Sequence, residues 1–246
     1  MSEREQVLLE SGFVLHQRPY RNTSQLLECV TAEHGRVGLV ARGSRRGASP
    51  QRAVLQPFVP LRLSWIRRGD LGRLTQVEAS GPALELTGQQ RLLAGYYASE
   101  LLLRLTARGD PNPEVFSCYS RCLAQLADTE SAARPLRLYE LDLLRALGYG
   151  LELDAESDTG RPLRDGSTYV FELEGGLKVV SSDALRSADD EVYSGRELIS
   201  LREQLLEDDA ALRAAQRLLG RALRAHLGDR PLRSRLVFQD ILSRGL

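Results

Sequence analysis

Residues 35–42 read Gly-Arg-Val-Gly-Leu-Val-Ala-Arg, with apolar side chains at 37, 39 and 41 and arginines at 36 and 42. This period of two predicts a β-strand that buries one face. Residues 61–66, Leu-Arg-Leu-Ser-Trp-Ile, repeat the alternation. In both segments the arginines fall on the face opposite the core, which is where a bound strand of nucleic acid would lie.

Three more short segments, 13–18, 26–31 and 74–79, read as strands bounded by turn residues. Together with 35–42 and 61–66 they make five short strands without an intervening helical pattern. Such a series predicts either a small barrel or a sandwich.

Basic charge is concentrated in this region, although the whole chain has a formal net charge of zero. Between Glu33 and Glu78 there are nine arginines and one acid, Asp70. The arginines are Arg36, Arg42, Arg45, Arg46, Arg52, Arg62, Arg67, Arg68 and Arg73. Unneutralised like charges repel, so the clustering indicates an anionic partner, and a nucleic-acid backbone is the commonest one.

From about Gly88 the apolar period becomes helical, first with apolar positions from Leu92 to Leu105 and then in segments near 114–126 and 136–147. Residues 169–173 and 177–180 flank Glu174-Gly-Gly176 and predict a β-hairpin. Helices are expected again at 195–207 and 210–227, with a short one near 234–243.

The helix at 210–227 carries a second basic stripe, formed by Arg213, Arg217, Arg221 and Arg224. At about 100° per residue these side chains fall within an arc of roughly 80°. A charge stripe is usually just a solvated face. Here no acid is expected on the stripe, and Arg230, Arg233 and Arg235 continue it, so a second phosphate-contacting surface is the preferred interpretation.

The bulk composition limits the possible classes. At 246 residues with three cysteines, the chain has no disulfide framework, which fits a reducing, cytoplasmic compartment. Cys118 and Cys122 read as small apolar helix residues rather than a metal pair. The first residues do not resemble a secretory signal, and no apolar run is long enough for a membrane span.

Motifs for covalent chemistry are missing, including phosphate loops, zinc-protease and hydrolase signatures. The acidic runs Asp189-Asp190-Glu191 and Glu207-Asp208-Asp209 could hold Mg²⁺ in a nuclease, but helix capping and solvated turns are favoured. A non-enzyme is therefore expected. The alternatives are a metal-dependent nuclease and an interaction scaffold that binds acidic protein tails.

Five strings, in this order, resemble the bacterial recombination mediator family RecO. They are Gly12-Phe-Val-Leu-His-Gln-Arg-Pro-Tyr20, Thr31-Ala-Glu-His-Gly-Arg-Val-Gly-Leu-Val-Ala-Arg-Gly43, Leu55-Gln-Pro-Phe-Val-Pro-Leu61, Glu140-Leu-Asp-Leu-Leu-Arg-Ala-Leu-Gly-Tyr-Gly150 and Leu227-Gly-Asp-Arg-Pro-Leu-Arg-Ser-Arg235. The resemblance implies an α+β protein: an N-terminal five-stranded OB-fold β-barrel, then an α-helical domain with a small, irregular zinc-finger-like insert. The expected domains are 1–82 (OB-fold), 83–150 (first helical part), 151–194 (insert) and 195–246 (C-terminal helical part).

The resemblance also implies a function in the RecF pathway of DNA repair and homologous recombination. Members bind single- and double-stranded DNA, anneal complementary strands, and act with RecR and single-stranded DNA-binding protein so that RecA loads. The acidic C-terminal tail of single-stranded DNA-binding protein docks at the position of Arg137. Many relatives carry two Cys-x-x-Cys pairs in the insert, but residues 151–194 contain no cysteine, so no structural zinc and no cofactor is expected, and packing alone should hold the insert.

Combining the charge pattern with the resemblance gives the expected site. The predicted DNA contacts are Arg36, Arg42, Arg45, Arg46, Arg52, Arg62, Arg68, Arg213, Arg217, Arg221, Arg224, Arg233 and Arg235. Tyr20 is a possible base-stacking residue, whereas Trp65 shares its face with Leu61 and Leu63 and is expected in the core.

Overall fold

The computed structural model describes residues 5–46, 49–180, 191–228 and 230–234. These residues pack as two compact units. The first contains the chain up to Glu130 together with 231–234, and the second spans Ser131–Arg230. The boundaries expected from the sequence at 82, 150 and 194 stay predictions.

A closed five-stranded barrel forms most of the first unit, with strand order β1-β2-β3-β5-β4. The strands are β1 (Glu5–Tyr20), β2 (Ser24–Thr31), β3 (Gly35–Ala41), β4 (Leu61–Arg67) and β5 (Leu71–Ala79). Only the β3–β5 pair is parallel among them; the other four pairs are antiparallel. Of the two architectures left open by the strand pattern, the barrel is confirmed, and its strand order suits an OB-fold.

The first strand is longer than predicted, because it begins at Glu5 rather than Phe13. Its first half pairs with β4 and its second half with β2, so one strand closes the barrel. A bulge between Val7 and Glu10 interrupts the alternation and leaves Leu8 and Leu9 exposed. That bulge removes the period-two signal from the sequence.

The barrel interior is packed around Trp65, which is fully buried beside Leu39 and Leu63. The predicted core role of Trp65 is confirmed. Gly72 makes this packing possible, since a Cβ there would lie 2.7 Å from the Leu39 side chain and 3.0 Å from Trp65.

The named helices of the first unit are α1 (Pro50–Val54), α2 (Gln89–Leu105) and α3 (Pro113–Asp128). The short α1 was not expected from the sequence. The Phe13 ring of β1 meets the Phe116 and Tyr119 rings of α3 at centroid distances of 5.9 and 5.6 Å. Cys118 and Cys122 are buried and form no disulfide within the described residues, as expected for apolar helix residues.

The second unit combines helices with a three-stranded sheet of order β7-β6-β8. Its elements are α4 (Ala133–Ala146), β6 (Thr168–Glu172), β7 (Gly176–Val180), β8 (Val192–Ser194), α5 (Gly195–Arg202) and α6 (Asp209–Leu227). The predicted hairpin is confirmed as β6–β7, and β8 adds a third strand that the sequence did not indicate. Most of the helix expected at 234–243 lies outside the described residues.

A buried carboxylate holds the cysteine-free segment before this sheet, so the expectation that packing alone holds it is wrong. The Glu156 side chain is almost fully buried and accepts a hydrogen bond of 2.5 Å from the Thr159 hydroxyl. The Tyr169 hydroxyl lies 3.5 Å from the same carboxylate, and Arg164 lies 3.7 Å away. Because the Glu156 carboxylate is hydrogen-bonded and paired with Arg164, it can remain buried inside the second unit.

Candidate nucleic-acid interface

A groove of about 490 Å³ opens at one end of the barrel, where the β1–β2 turn, the loop after β3 and the start of β5 meet. We call it the arginine groove. Its lining comprises Tyr20, Arg21, Thr23, Ser24, Val40, Arg42, Gly43, Arg46, Leu71, Gly72 and Arg73. The strand order brings together three chain segments that are far apart in the sequence.

Hydrogen bonds join the two loops of the groove and close the loop after β3 on itself. The Arg45 N–H donates to the Thr23 carbonyl oxygen at 3.0 Å, and the Arg46 N–H donates to the Gly43 carbonyl at 3.1 Å. The buried Ser44 hydroxyl donates to the Ala41 carbonyl at 3.0 Å. The arginines therefore stand on a fixed backbone before any ligand is present.

Four arginines line the groove without an acid among its lining residues. Within the described chain, none of Arg21, Arg42, Arg46 and Arg73 is ion-paired with a carboxylate. The Arg21 guanidinium instead lies 5.3 Å from the centroid of the Tyr20 ring, which is a cation–π distance. Four uncompensated cations in one concave site make a binding site for anions.

The groove also offers apolar surface. Tyr20, Val40 and Leu71 contribute to its wall, and Leu71 is 37% exposed even though it belongs to a barrel strand. An aromatic ring beside arginines can stack a base while the guanidiniums contact phosphates.

Sequence reasoning identified Arg42 and Arg46 of the groove but left Arg21 and Arg73 out of the site. Arg73 enters because β5 pairs in parallel with β3, placing Val40 opposite Arg73. Arg21 enters through the β1–β2 turn, where its φ is +52°. Arg73 is one of the nine arginines between Glu33 and Glu78, so the sequence shows its charge. No local pattern in the sequence indicates that β5 pairs with β3.

Arg36 does not belong to the groove. Its Nη1 donates to the Leu103 carbonyl oxygen in the last turn of α2 at 3.0 Å. Burial lowers the pKa of the Arg36 guanidinium, Glu28 opposes that shift, and Arg108 adds to it. The sequence placed Arg36 on an open strand face, but the chain itself covers that position, and we leave Arg36 out of the proposed surface.

The remaining predicted arginines of the first unit are exposed outside the groove. They are Arg45, Arg52, Arg62 and Arg68. The Arg62 Nη1 donates to the Leu9 carbonyl oxygen at 3.2 Å and so supports the bulge of β1. Arg233 is exposed too, and its backbone N–H donates to the Glu100 carboxylate at 2.8 Å. Arg235 lies outside the described residues.

In the second unit, the stripe on α6 differs from the sequence expectation in one respect. The Asp209 carboxylate lies 3.9 Å from Arg213, so an acid does accompany the stripe. Both side chains are mostly exposed, at 88% and 65%, and such a pair contributes little to stability. Arg224 is exposed as well, whereas Arg221 is half-buried.

The Arg217 side chain is exposed but also contacts other residues of the second unit. Its guanidinium lies 5.4 Å from the centroid of the Tyr193 ring, and Nη2 is 3.4 Å from the Val192 carbonyl oxygen. Burial and the hydrogen bond to Glu191 raise the pKa of Tyr193, while Arg217 and Arg221 oppose that rise. Arg217 therefore joins α6 to β8, in addition to any contact with a ligand.

Arg137 is largely enclosed in α4, with 11% of its side chain exposed. Its Nη2 lies 2.9 Å from the Glu140 carboxylate one turn later, and that carboxylate is buried. A bound carboxylate would have to share this guanidinium with Glu140.

The acidic run before α6 has a structural role at Asp208, which caps the helix by accepting a 2.7 Å hydrogen bond from the Ala211 N–H. Asp189 and Asp190 fall outside the described residues. Across the part of the chain that is described, no three His, Cys, Asp or Glu side chains group as metal ligands do. Nor is any described helix both long and apolar enough to cross a membrane.

A closed five-stranded barrel with an arginine-lined, partly aromatic groove at its rim belongs to the OB-fold class, whose members commonly bind nucleic acids there. Comparison with known proteins narrows the class. The family models "Recombination protein O N terminal" and "Recombination protein O C terminal" match residues 6–83 and 89–236. The chain belongs to the RecO family of DNA repair and recombination proteins.

Curated relatives named "DNA repair protein RecO" agree with this over nearly the full length. The protein of Nitrosococcus oceani is 45% identical over 235 residues, covering 96% of this chain and 94% of the relative. That of Methylococcus capsulatus is 41% identical, covering 95% and 94%. That of Azoarcus sp. is 37% identical over 242 residues, covering 98% and 99%.

Proposed function

We propose that this protein is a non-enzymatic recombination mediator that binds single-stranded DNA through the arginine groove. The observation that carries the proposal is the convergence of four unpaired arginines and Tyr20 on a preorganised rim of the barrel. Guanidiniums would neutralise phosphates and release counterions, while Tyr20 would stack on an unpaired base. Because stacking and phosphate contacts read no base edges, binding would tolerate any sequence.

The α6 stripe supports a second DNA surface, with Arg213, Arg217 and Arg224 as its exposed cations. Two basic surfaces would let the protein bind two strands, single- or double-stranded, and screen the repulsion between them. Lower repulsion accelerates annealing of complementary strands without any covalent step. No cofactor takes part in this mechanism.

Membership of the family supports the remaining assignments. We propose partnership with RecR, binding of the C-terminal tail of single-stranded DNA-binding protein, and promotion of RecA loading in the RecF pathway. The place of action would be the bacterial cytoplasm, at the nucleoid.

The groove is tested by replacing Arg42 and Arg73 with glutamine and measuring anisotropy of a labelled single strand. We expect weaker binding, because two phosphate contacts are lost. Arg161→Gln is the matched control, since Arg161 is exposed, lies in the second unit and does not belong to the α6 stripe. Equal affinities of the groove variant and the control would reject the groove as the DNA site.

Tail binding at Arg137 is tested with an acidic peptide. Arg137→Ala should weaken peptide binding and leave direct DNA binding nearly intact, whereas Arg145→Ala, exposed on the same helix, should change neither. Because Arg137 pairs with Glu140, the melting temperature of each variant must be recorded. Unchanged peptide affinity in a folded Arg137→Ala protein would remove Arg137 from the tail site.

A further inference from the structure

The charge of the arginine groove exceeds what the interior of a DNA strand supplies. The groove encloses about 490 Å³, a size typical of a site for one small molecule, so it has room for about one nucleotide. An internal nucleotide brings at most two negative charges, one from each flanking phosphodiester. Arg21, Arg42, Arg46 and Arg73 bring four positive charges, without a lining acid to offset them.

A terminal phosphate fits this excess better. A phosphomonoester carries about 1.5 to 2 negative charges at pH 7 and three acceptor oxygens, because its second pKa is about 6. Arginine presents planar donors that match such oxygens two at a time. The last nucleotide of a strand would add the charge of its inner phosphodiester, bringing the total close to three.

The shape of the groove is consistent with a strand end. The hydrogen bond between the Arg45 N–H and the Thr23 carbonyl joins its two loops, the one between Arg46 and Gly43 closes the second loop, and the four arginines line one concave site. Tyr20, Val40 and Leu71 supply an apolar wall for the base or sugar of that nucleotide. A site that only tracked a passing backbone would spread its cations along the strand.

We infer that the arginine groove binds the phosphorylated end of a DNA strand in preference to an internal stretch or a hydroxyl end. This inference rests on the proposed function, because it specifies the part of the strand that the groove takes. The relevant chemistry is a terminal phosphomonoester, and the experiment distinguishes its 5′ from its 3′ source.

The test measures dissociation constants for one oligonucleotide sequence in four forms: 5′-phosphate, 3′-phosphate, both ends hydroxyl, and closed circle. We expect one phosphorylated form to bind about tenfold more tightly than the hydroxyl and circular forms, because an extra charge lies near several guanidiniums. The preference should disappear as the pH falls through about 6, where the monoester takes up its second proton. Equal affinity for all four forms at about pH 7.5 would overturn the inference.

Two further arms assign the effect to the groove. Arg42→Gln with Arg73→Gln should abolish the preference, whereas Arg161→Gln should retain it; a preference that survives in the groove variant would refute the assignment. With the unaltered protein, saturating pyrophosphate should fill the groove and reduce the affinity for the phosphorylated strand to that for the circle, and a preference that persists at saturating pyrophosphate would count against the inference. If the unaltered protein bound no DNA form, the proposed function itself would fail, a result distinct from equal binding of all forms.

Discussion

The salt dependence of DNA binding gives a quantitative test of the arginine groove. For single strands, each phosphate contact contributes about 0.7 to the slope of log affinity against log salt. The groove has room for about one nucleotide with its two phosphates, so it contributes a slope of about −1.4. Raising salt from about 50 to about 200 mM would then weaken binding about sevenfold through the groove alone.

The Arg42→Gln, Arg73→Gln protein loses two of the four groove arginines, half of the positive charge of the groove, so its slope should be shallower by about 0.7. The ratio of its dissociation constant to that of the unaltered protein should therefore shrink about 2.6-fold across the same salt range. Fluorescence anisotropy of a labelled single strand at four or five salt concentrations measures both slopes. Arg161→Gln, which removes one exposed charge from the second unit, should leave the slope unchanged. Parallel lines for the groove variant and the unaltered protein would refute the claim that these arginines contact phosphates.

Three other substitutions separate structural from binding roles. Arg36→Gln should lower the free energy of unfolding by about 2 kcal/mol, because a charged donor to the α2 C-terminus is lost. It should leave the DNA dissociation constant unchanged. Urea unfolding and fluorescence anisotropy measure the two quantities, and weaker DNA binding would return Arg36 to the interface. Glu156→Gln should destabilise the second unit by about 1–3 kcal/mol, while Glu152→Gln at an exposed position should not. Equal unfolding midpoints of the two variants in urea would contradict a stabilising role of the buried network. Arg217→Gln should reduce both the melting temperature and the annealing rate, whereas Arg224→Gln should reduce the annealing rate alone. Thermal melts and a strand-annealing assay measure these quantities. An unaffected rate in both variants would exclude the α6 stripe as a DNA surface.

The barrel was predictable because alternation is a local property. Segments such as 35–42 and 61–66 must bury their apolar face whatever their partners are, and all five predicted strands are present in the structure. The misses share a cause. The first half of β1 carries a bulge, and β8 has three residues, so neither shows enough alternation to be recognised.

The sequence predicted that the site is basic, but it did not predict which arginines line the site. Arg42 and Arg36 look equivalent in the sequence, since both lie on the polar face of one strand. In the structure Arg42 lines the groove, while Arg36 is hydrogen-bonded to the end of α2, and these partners lie far away along the chain. Similarly, the stripe on α6 was visible from its spacing, but the contact of Arg217 with Tyr193 was not.

From the residues alone come the basic character of the first region, the five-stranded pattern, the absence of zinc-ligand cysteines from 151–194, and the family strings. Each depends on composition or on neighbours within a few positions. The fold determines which arginines remain without a partner and which turn and loop face each other. It also shows that a buried Glu156 network helps to hold the cysteine-free segment. Those properties depend on strand pairing and burial between distant residues, because a charge is available to a ligand only where the folded chain leaves it uncompensated.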